Sequence, residues 1–302
     1  MGNFILIGIC MIAGMLFRNS NTLPKDTHKG INAWIIYLAL PAVSFKYLPH
    51  IHWSNALALP LLSPIAVWLG AWLFISWYAK KIKKLNKPTE GGLKLAAGLG
   101  NTTFIGFPLI IAYFSEKELG IAIIYDQVNF MLLSVAGIIV AINSSQNRTL
   151  SIGVIAKKLL RFPPFLGCVA ALVLPRFINL SPLDEVFNKL AATTGPLALF
   201  SIGLQLRFKG WQQHLSNISA ALFYKLLIAP CIILGIALLA GIKGTIAQIS
   251  VFEAAMPTLL TAGIVADEYE LNSELVNLVT GIGIILCFIT TAGWWLLLRY
   301  LG

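Results

Sequence analysis

The sequence predicts an all-α membrane protein: ten transmembrane helices in two inverted five-helix repeats, with the fourth and ninth helices broken by proline. Three observations predict it. Of 302 residues, 58% are hydrophobic and only 11% carry a charge, where soluble domains run near a quarter charged. Mean hydropathy is +0.81. A soluble globule of this length has too little polar side chain left to cover its surface, and a disordered chain needs the opposite composition. Second, apolar runs of roughly one membrane thickness recur along the whole chain. Third, a proline followed about ten residues later by an acidic turn recurs in matching helices of the two halves.

The runs fall at 2–17, 31–48, 56–79, 91–114, 120–143, 163–180, 188–208, 218–241, 244–266 and 274–299. The first is read as a span and not a signal peptide. It has no basic leader, and Phe17-Arg18-Asn19 follows it where a small-residue cleavage site belongs. Loops stay under about 20 residues, which leaves no room for a soluble domain. Alternate loops differ in Lys and Arg. One side holds Arg18, Lys25, Lys29, Lys80, Lys81, Lys83, Lys84, Lys87, Arg148, Lys157, Lys158, Arg161, Arg207 and Lys209, against six on the other. Positive charge stays inside, so both termini are expected on the outer side of a bacterial inner (plasma) membrane. The formal charge of +10 then records orientation and implies no nucleic-acid partner. A five-span unit repeated in tandem inverts its second copy, which sets the expected repeats at 1–143 and 144–302.

The repeat signal is local. Pro108 in the fourth span precedes Glu116 and Glu118, and Pro257 in the ninth precedes Asp267 and Glu268. Pro41 in the second span is matched by Gly195-Pro196 in the seventh. The densest stretch is Gly98-Leu99-Gly100-Asn101-Thr102-Thr103-Phe104-Ile105-Gly106-Phe107-Pro108. Glycine weakens a helix and proline removes a donor from it. Unwound backbone inside a membrane survives only within protein or beside a polar cavity. A half-helix starting near Pro108 points its positive end at the midplane, where an anion can be held. Asn101, Thr102, Thr103 and Gly106 are therefore candidate substrate contacts. Met256, Pro257 and Thr258 are their counterparts in Glu253-Ala254-Ala255-Met256-Pro257-Thr258. A plain proline kink with packed Ser/Thr is the alternative.

Ionisable side chains inside spans are costly and mark function by default. Four are singled out: Lys94, Asp126, Lys225 and Glu253. Lys94 lies near a helix end and is expected to snorkel. Asp126, with Gln127 and Asn129, is a candidate cavity or coupling-ion lining, or else a structural bond to a neighbouring helix. Lys225 and Glu253 lie in adjacent spans and read either as a structural ion pair or as proton-coupling groups. His28, His50, His52 and His214 fall in loops, and Cys10, Cys168, Cys231 and Cys287 lie singly in apolar runs. No metal, disulfide framework or cofactor is expected.

Enzymatic chemistry finds no material. Tyr125-Asp126 mimics one half of an intramembrane aspartyl protease, but Gly98-Leu99-Gly100 is followed by Asn101 and comes first in the chain. The second carboxylate is missing. There is no HExxH and no phosphate-cradling loop. Asn147 opens an Asn-x-Thr triplet on the inner side, where it carries no meaning.

Gly100-Asn101-Thr102-Thr103-Phe104-Ile105-Gly106-Phe107-Pro108-Leu109 resembles the auxin efflux carrier family of PIN-like permeases. So do Leu40-Pro41-Ala42, Pro196-Leu197-Ala198 with Gly203, Lys225 with Pro230, and Ala254-Ala255-Met256-Pro257. Their order covers nearly the whole chain. The resemblance implies crossed, proline-broken fourth and ninth helices, with the family's crossover asparagine at Asn101 and its prolines at Pro108 and Pro257. It also implies a scaffold of the first, second, sixth and seventh spans, a mobile transport domain made of the rest, and a scaffold-mediated homodimer. Members carry organic anions such as auxin, malonate or malate, and resemble sodium-coupled bile-acid carriers in fold. No asparagine stands beside Pro257, and the long central loop of the plant proteins is absent.

The function expected is therefore elevator-type secondary transport of small mono- or dicarboxylates, with proton or sodium as coupling ion. The alternatives are a ten-helix drug/metabolite-type exporter, whose helices are expected to be continuous, and a signalling or scaffold membrane protein that moves nothing.

Overall fold

The computed structural model describes residues 2–20, 22–145, 162–206 and 210–301. Arg148, Lys157, Lys158, Arg161, Arg207, Lys209 and Asn147 lie outside them. The described residues form helices and no named strand: α1 Gly2–Asn19, α2 Thr27–His50, α3 Asn55–Lys83, α4 Lys87–Gly98, α5 Thr102–Tyr113, α6 Glu116–Ser144 and α7 Pro163–Arg176. They continue with α8 Asp184–Ala192, α9 Thr194–Gln205, α10 Trp211–Leu239, α11 Thr245–Ala254, α12 Leu260–Glu268 and α13 Ser273–Leu301. Five of these, α2, α3, α6, α10 and α13, are long and apolar enough to cross a membrane, and α1, α5 and α7 are shorter apolar helices. The protein is an integral membrane protein.

Proline shapes these helices in a regular way. Pro41, Pro108 and Pro230 each follow a five-residue π-helical turn by two residues: Ile35–Ala39, Thr102–Gly106 and Tyr224–Ile228. A proline ring clashes with the carbonyl four residues back and leaves it without a donor, and a widened turn makes room. In α10 the orphaned carbonyl is that of Leu226. The indole Nε1 of Trp294 in α13 donates to it at 2.9 Å. Pro196 instead stops a helix: α8 ends at Ala192, four residues before it, so the expected seventh span is two helices that meet at Thr193. The half-helix expected to start near Pro108 begins at Thr102, because the wide turn absorbs the proline within the helix.

Contacts divide the chain into two compact units. The first comprises Met1–Trp53, Thr103–Ile123 and Lys157–Leu206. In it α1 packs on α9, and α2 on α7 and α8. A Cβ on Gly203 in α9 would collide with the Met11 carbonyl oxygen and lie 2.8 Å from the Gly14 Cα of α1. The helices therefore touch backbone to backbone, as small residues allow in membranes. Gly203→Val is expected to force them apart and cost about 1–3 kcal/mol, read as a lower midpoint in thermal unfolding of the detergent-solubilised protein.

The second unit comprises Ser54–Thr102, Ile124–Ala156 and Arg207–Gly302. Here α3 packs on α4, α10 and α11, and α4 also meets α13 and the end of α6. The Asn86 side chain caps α4 by accepting from the Thr89 N–H at 3.0 Å. The Trp68 ring seats on Gly98, where a Cβ would come within 2.5 Å of it. Tyr224 Oη donates to the Val67 carbonyl at 2.6 Å beside Gly70. Lys94 is not left to snorkel alone: it pairs with Glu90 at 2.7 Å, with its ammonium 5.0 Å from the Trp72 ring centroid.

Candidate functional site

In the second unit two helices stop, and their continuing chains run past each other. α4 ends at Gly98 and the chain is extended at Leu99, with φ −109° and ψ 124°. α11 ends at Ala254, and α12 starts only at Leu260, after Leu259 in extended conformation. Between these ends Gly100 and Thr258 form an antiparallel bridge. Asn101 N–H donates to the Pro257 carbonyl at 2.7 Å, and Leu259 N–H donates to the Leu99 carbonyl at 3.0 Å. Gly100 is the residue that fits here, because a Cβ would lie 3.1 Å from Lys225 Nζ.

In a bridge of this kind the two facing residues turn their own N–H and C=O away from each other. The carboxamide of Asn129 in α6 takes both groups of Gly100. Its Oδ1 accepts from the Gly100 N–H at 3.2 Å and its Nδ2 donates to the Gly100 carbonyl at 2.8 Å. One turn earlier on the same helix, Asp126 accepts a hydrogen bond from the Thr102 hydroxyl at 2.5 Å. Thr258 Oγ1 donates to the Ala96 carbonyl at 2.7 Å, which satisfies one of the four acceptors a helix C-terminus leaves open. Asn101, Thr102 and Thr258 are fully buried.

The charged groups gather at the same crossing. Lys225 is 1% exposed and its Nζ donates to the Ala254 carbonyl, the last of α11, at 3.3 Å. A cation at a helix C-terminus is favourably placed. Glu253 is fully buried, and among the described residues neither carboxylate oxygen has a hydrogen-bond partner. Lys225 and Glu253 therefore do not form a direct ion pair. The charged groups that act on Glu253 are Asp126 and Lys225. Gln127 is buried too, with no partner for its Oε1 among the described residues.

Of the residues singled out in the sequence, Asn101, Thr102, Asp126, Gln127, Asn129, Lys225, Glu253, Met256, Pro257 and Thr258 thus lie in the second unit, and bonds on the crossing join most of them. Pro257 packs on Gly283 of α13, where a Cβ would lie 3.5 Å from its ring. Thr103, Gly106 and Pro108 belong to the first unit, where Pro108 lines a cavity. Sequence reasoning did not find the clamp that Asn129 places on Gly100. Its only signal was spacing: Asn129 stands three residues from Asp126, on one helix face.

Long apolar helices, together with two shorter ones that stop at a polar crossing, define a polytopic membrane protein of the kind that moves solutes. Residues 3–295 match the family described as Membrane transport protein, and the chain belongs to that family of transporters, in keeping with its resemblance to the auxin efflux carriers. It is 27% identical over 281 residues to an uncharacterized transporter of Methanocaldococcus jannaschii, covering 90% of each chain. It is 23% identical over 299 residues to a putative malonate transporter of Rhizobium meliloti, covering 95% of this chain and 93% of the relative. Over 157 residues it is 28% identical to the probable auxin efflux carrier component 9 of Oryza sativa subsp. japonica, covering 47% of this chain and 35% of that one.

Proposed function

We propose that this membrane transporter carries small organic anions, mono- or dicarboxylates, by elevator-type alternating access. The observation that carries the reading is the bridge between Gly100 and Thr258, which joins two broken helices beside Asn101. Next to it α12 begins, and the first N–H groups and positive end of a helix favour a carboxylate. Asn101 supplies the carboxamide contact. α5, which begins at Thr102 next to Asn101 in the chain, supplies the second helix start. The Thr102 hydroxyl is given to Asp126, so its part is to order Asn101 and not to bind directly. Met256, Pro257 and Thr258 hold the opposite strand of the crossing. Asp126, Gln127, Lys225 and Glu253 form the coupling group, for a proton or sodium.

The names of the relatives, an auxin efflux carrier and a malonate transporter, agree with an anionic cargo. The division of the chain supports the inverted repeat and the moving unit. The first unit takes the first and second expected spans with the sixth and seventh, and most of the remainder falls in the second. In this reading the second unit moves and the first stays, as a dimer scaffold in the plasma membrane with both termini outside. The two helix breaks weigh against a drug/metabolite-type exporter with continuous helices.

The test is flux of labelled malonate, malate and indole-3-acetate into proteoliposomes, with and without proton and sodium gradients. Asn101→Ala is expected to lower the initial rate at least about tenfold, the worth of a hydrogen bond to a charged group. Wild-type rates for that variant would remove Asn101 from the site. Absence of flux for every anion would remove the anion reading.

A further inference from the structure

α3 carries a lipid-facing stripe straight into a run of lysines. Leu69, Leu73 and Trp77 stand four residues apart on one face of the helix, and all three are exposed. α3 is long and apolar enough to span a membrane, so that face meets acyl chains. Trp77 closes the stripe, as tryptophan does at the level of the headgroups. Lys80 and Lys81 follow it by three and four residues, and Lys83 and Lys84 complete the run. All four lysines are exposed. Among the described residues the ion pairs join Lys29 to Asp26, Lys46 to Glu116, Lys94 to Glu90 and Lys189 to Glu185. No carboxylate there balances the lysines of the run.

Positive charge beside a span orients it, and any position in the loop serves that purpose. Lys84 is under a further constraint. Its N–H and that of Leu85 both donate to the Ala79 carbonyl, the second at 3.0 Å. This closure of α3 holds Lys84 at φ 48° and ψ 54°. That is the left-handed region, where helices place glycine because a Cβ crowds the following carbonyl. Lysine there costs stability, and among the described residues its ammonium has no hydrogen-bond partner that offsets the cost. Strain kept at an exposed residue points to a use for its side chain. Here the side chain adds a fourth cation to the end of the stripe. We infer that the end of α3 is a binding surface for anionic phospholipid. The ammonium groups hold the phosphate, with their stems lying along apolar surface, and the acyl chains follow Leu69, Leu73 and Trp77. Lysines beside a span attract anionic headgroups, each by about fivefold in affinity. A phosphate free in solution touches the lysines alone, so the adjoining stripe selects the lipid.

The surface shares no residue with the crossing, and its test needs no transport. Full-length protein in detergent is titrated with phosphatidylglycerol or phosphatidylcholine, and native mass spectrometry counts the lipid retained. Phosphatidylglycerol is expected to bind at least about twentyfold more tightly, the worth of two lysines. Glutamine at positions 80, 81, 83 and 84 should abolish that preference, and arginine at the same four positions should keep it. Lys84→Gly removes the charge and the strain together. It should weaken phosphatidylglycerol binding about fivefold while the lipid-free melting temperature stays level or rises. Soluble glycerol 3-phosphate should not displace the lipid. Equal retention of the two lipids by wild type would overturn the surface, as would wild-type retention of phosphatidylglycerol in the glutamine variant or in Lys84→Gly. Displacement by glycerol 3-phosphate would assign the lysines to a free phosphate and overturn the lipid.

Discussion

Replacing Asn129 by leucine is expected to remove about 2–6 kcal/mol of stability and to melt the crossing. The arithmetic is local. Asn129 satisfies both the N–H and the C=O of Gly100, and each buried backbone group left without a partner costs about 1–3 kcal/mol. Water is scarce at such a site and offers no substitute. Leucine keeps the volume, so the loss is polar and not a cavity. Asn129→Asp keeps an acceptor for the Gly100 N–H, loses the donor to its carbonyl, and adds a charge beside Asp126, so it should not rescue. The measurements are thermal unfolding in detergent and hydrogen exchange at Asn101 and Leu259, whose amides close the bridge. Leucine at 129 with a wild-type melting point and wild-type protection of those two amides would show that the bridge stands without the clamp.

The breaks themselves were legible because they are written in residues that cannot continue a helix. Gly98 and Gly100 weaken the end of α4, and Pro257 cannot donate at the end of α11. Their positions followed less closely. Pro108 looked like the start of a half-helix, yet it sits in the second turn of α5, behind the wide turn at Thr102–Gly106. Proline states where a donor is missing; whether the helix stops or widens depends on what else takes the orphaned carbonyl. At Pro230 the answer is Trp294, 68 residues on from Leu226, and no local pattern carries that pairing. The same holds for Asn129 and Gly100, 29 residues apart, and for Thr258 and Ala96, 162 apart. The intramembrane charges were visible one by one. That Lys225 reaches the end of α11 and not the carboxylate of Glu253 is a matter of side-chain direction, which spacing in the chain leaves open.

Lys225→Met carries the other large effect. Methionine keeps the unbranched stem and removes the ammonium. If Lys225 serves only by packing, the variant should be near neutral, as volume-conserving swaps are. The surroundings argue otherwise. Nζ is buried at the C-terminal end of α11, beside the last turn of α4 through Gly100. Two helix ends there present partial negative charge, and Glu253 is the carboxylate whose charge acts on it. Removing the cation that acts on Glu253 is expected to cost about 3–5 kcal/mol, the penalty of an uncompensated buried charge. Glu253→Gln in the same chain should recover much of it, because the amide removes the charge that Lys225 offset while keeping the shape. A double-mutant cycle on melting temperature measures that recovery as a coupling energy. In the liposome assay the paired variant should also lose its response to whichever cation gradient drives the wild type, since the lysine and the glutamate of the coupling group are then both uncharged. Additive losses in the cycle, together with an intact gradient response, would separate Lys225 from Glu253 and leave the lysine a cap on α11 alone.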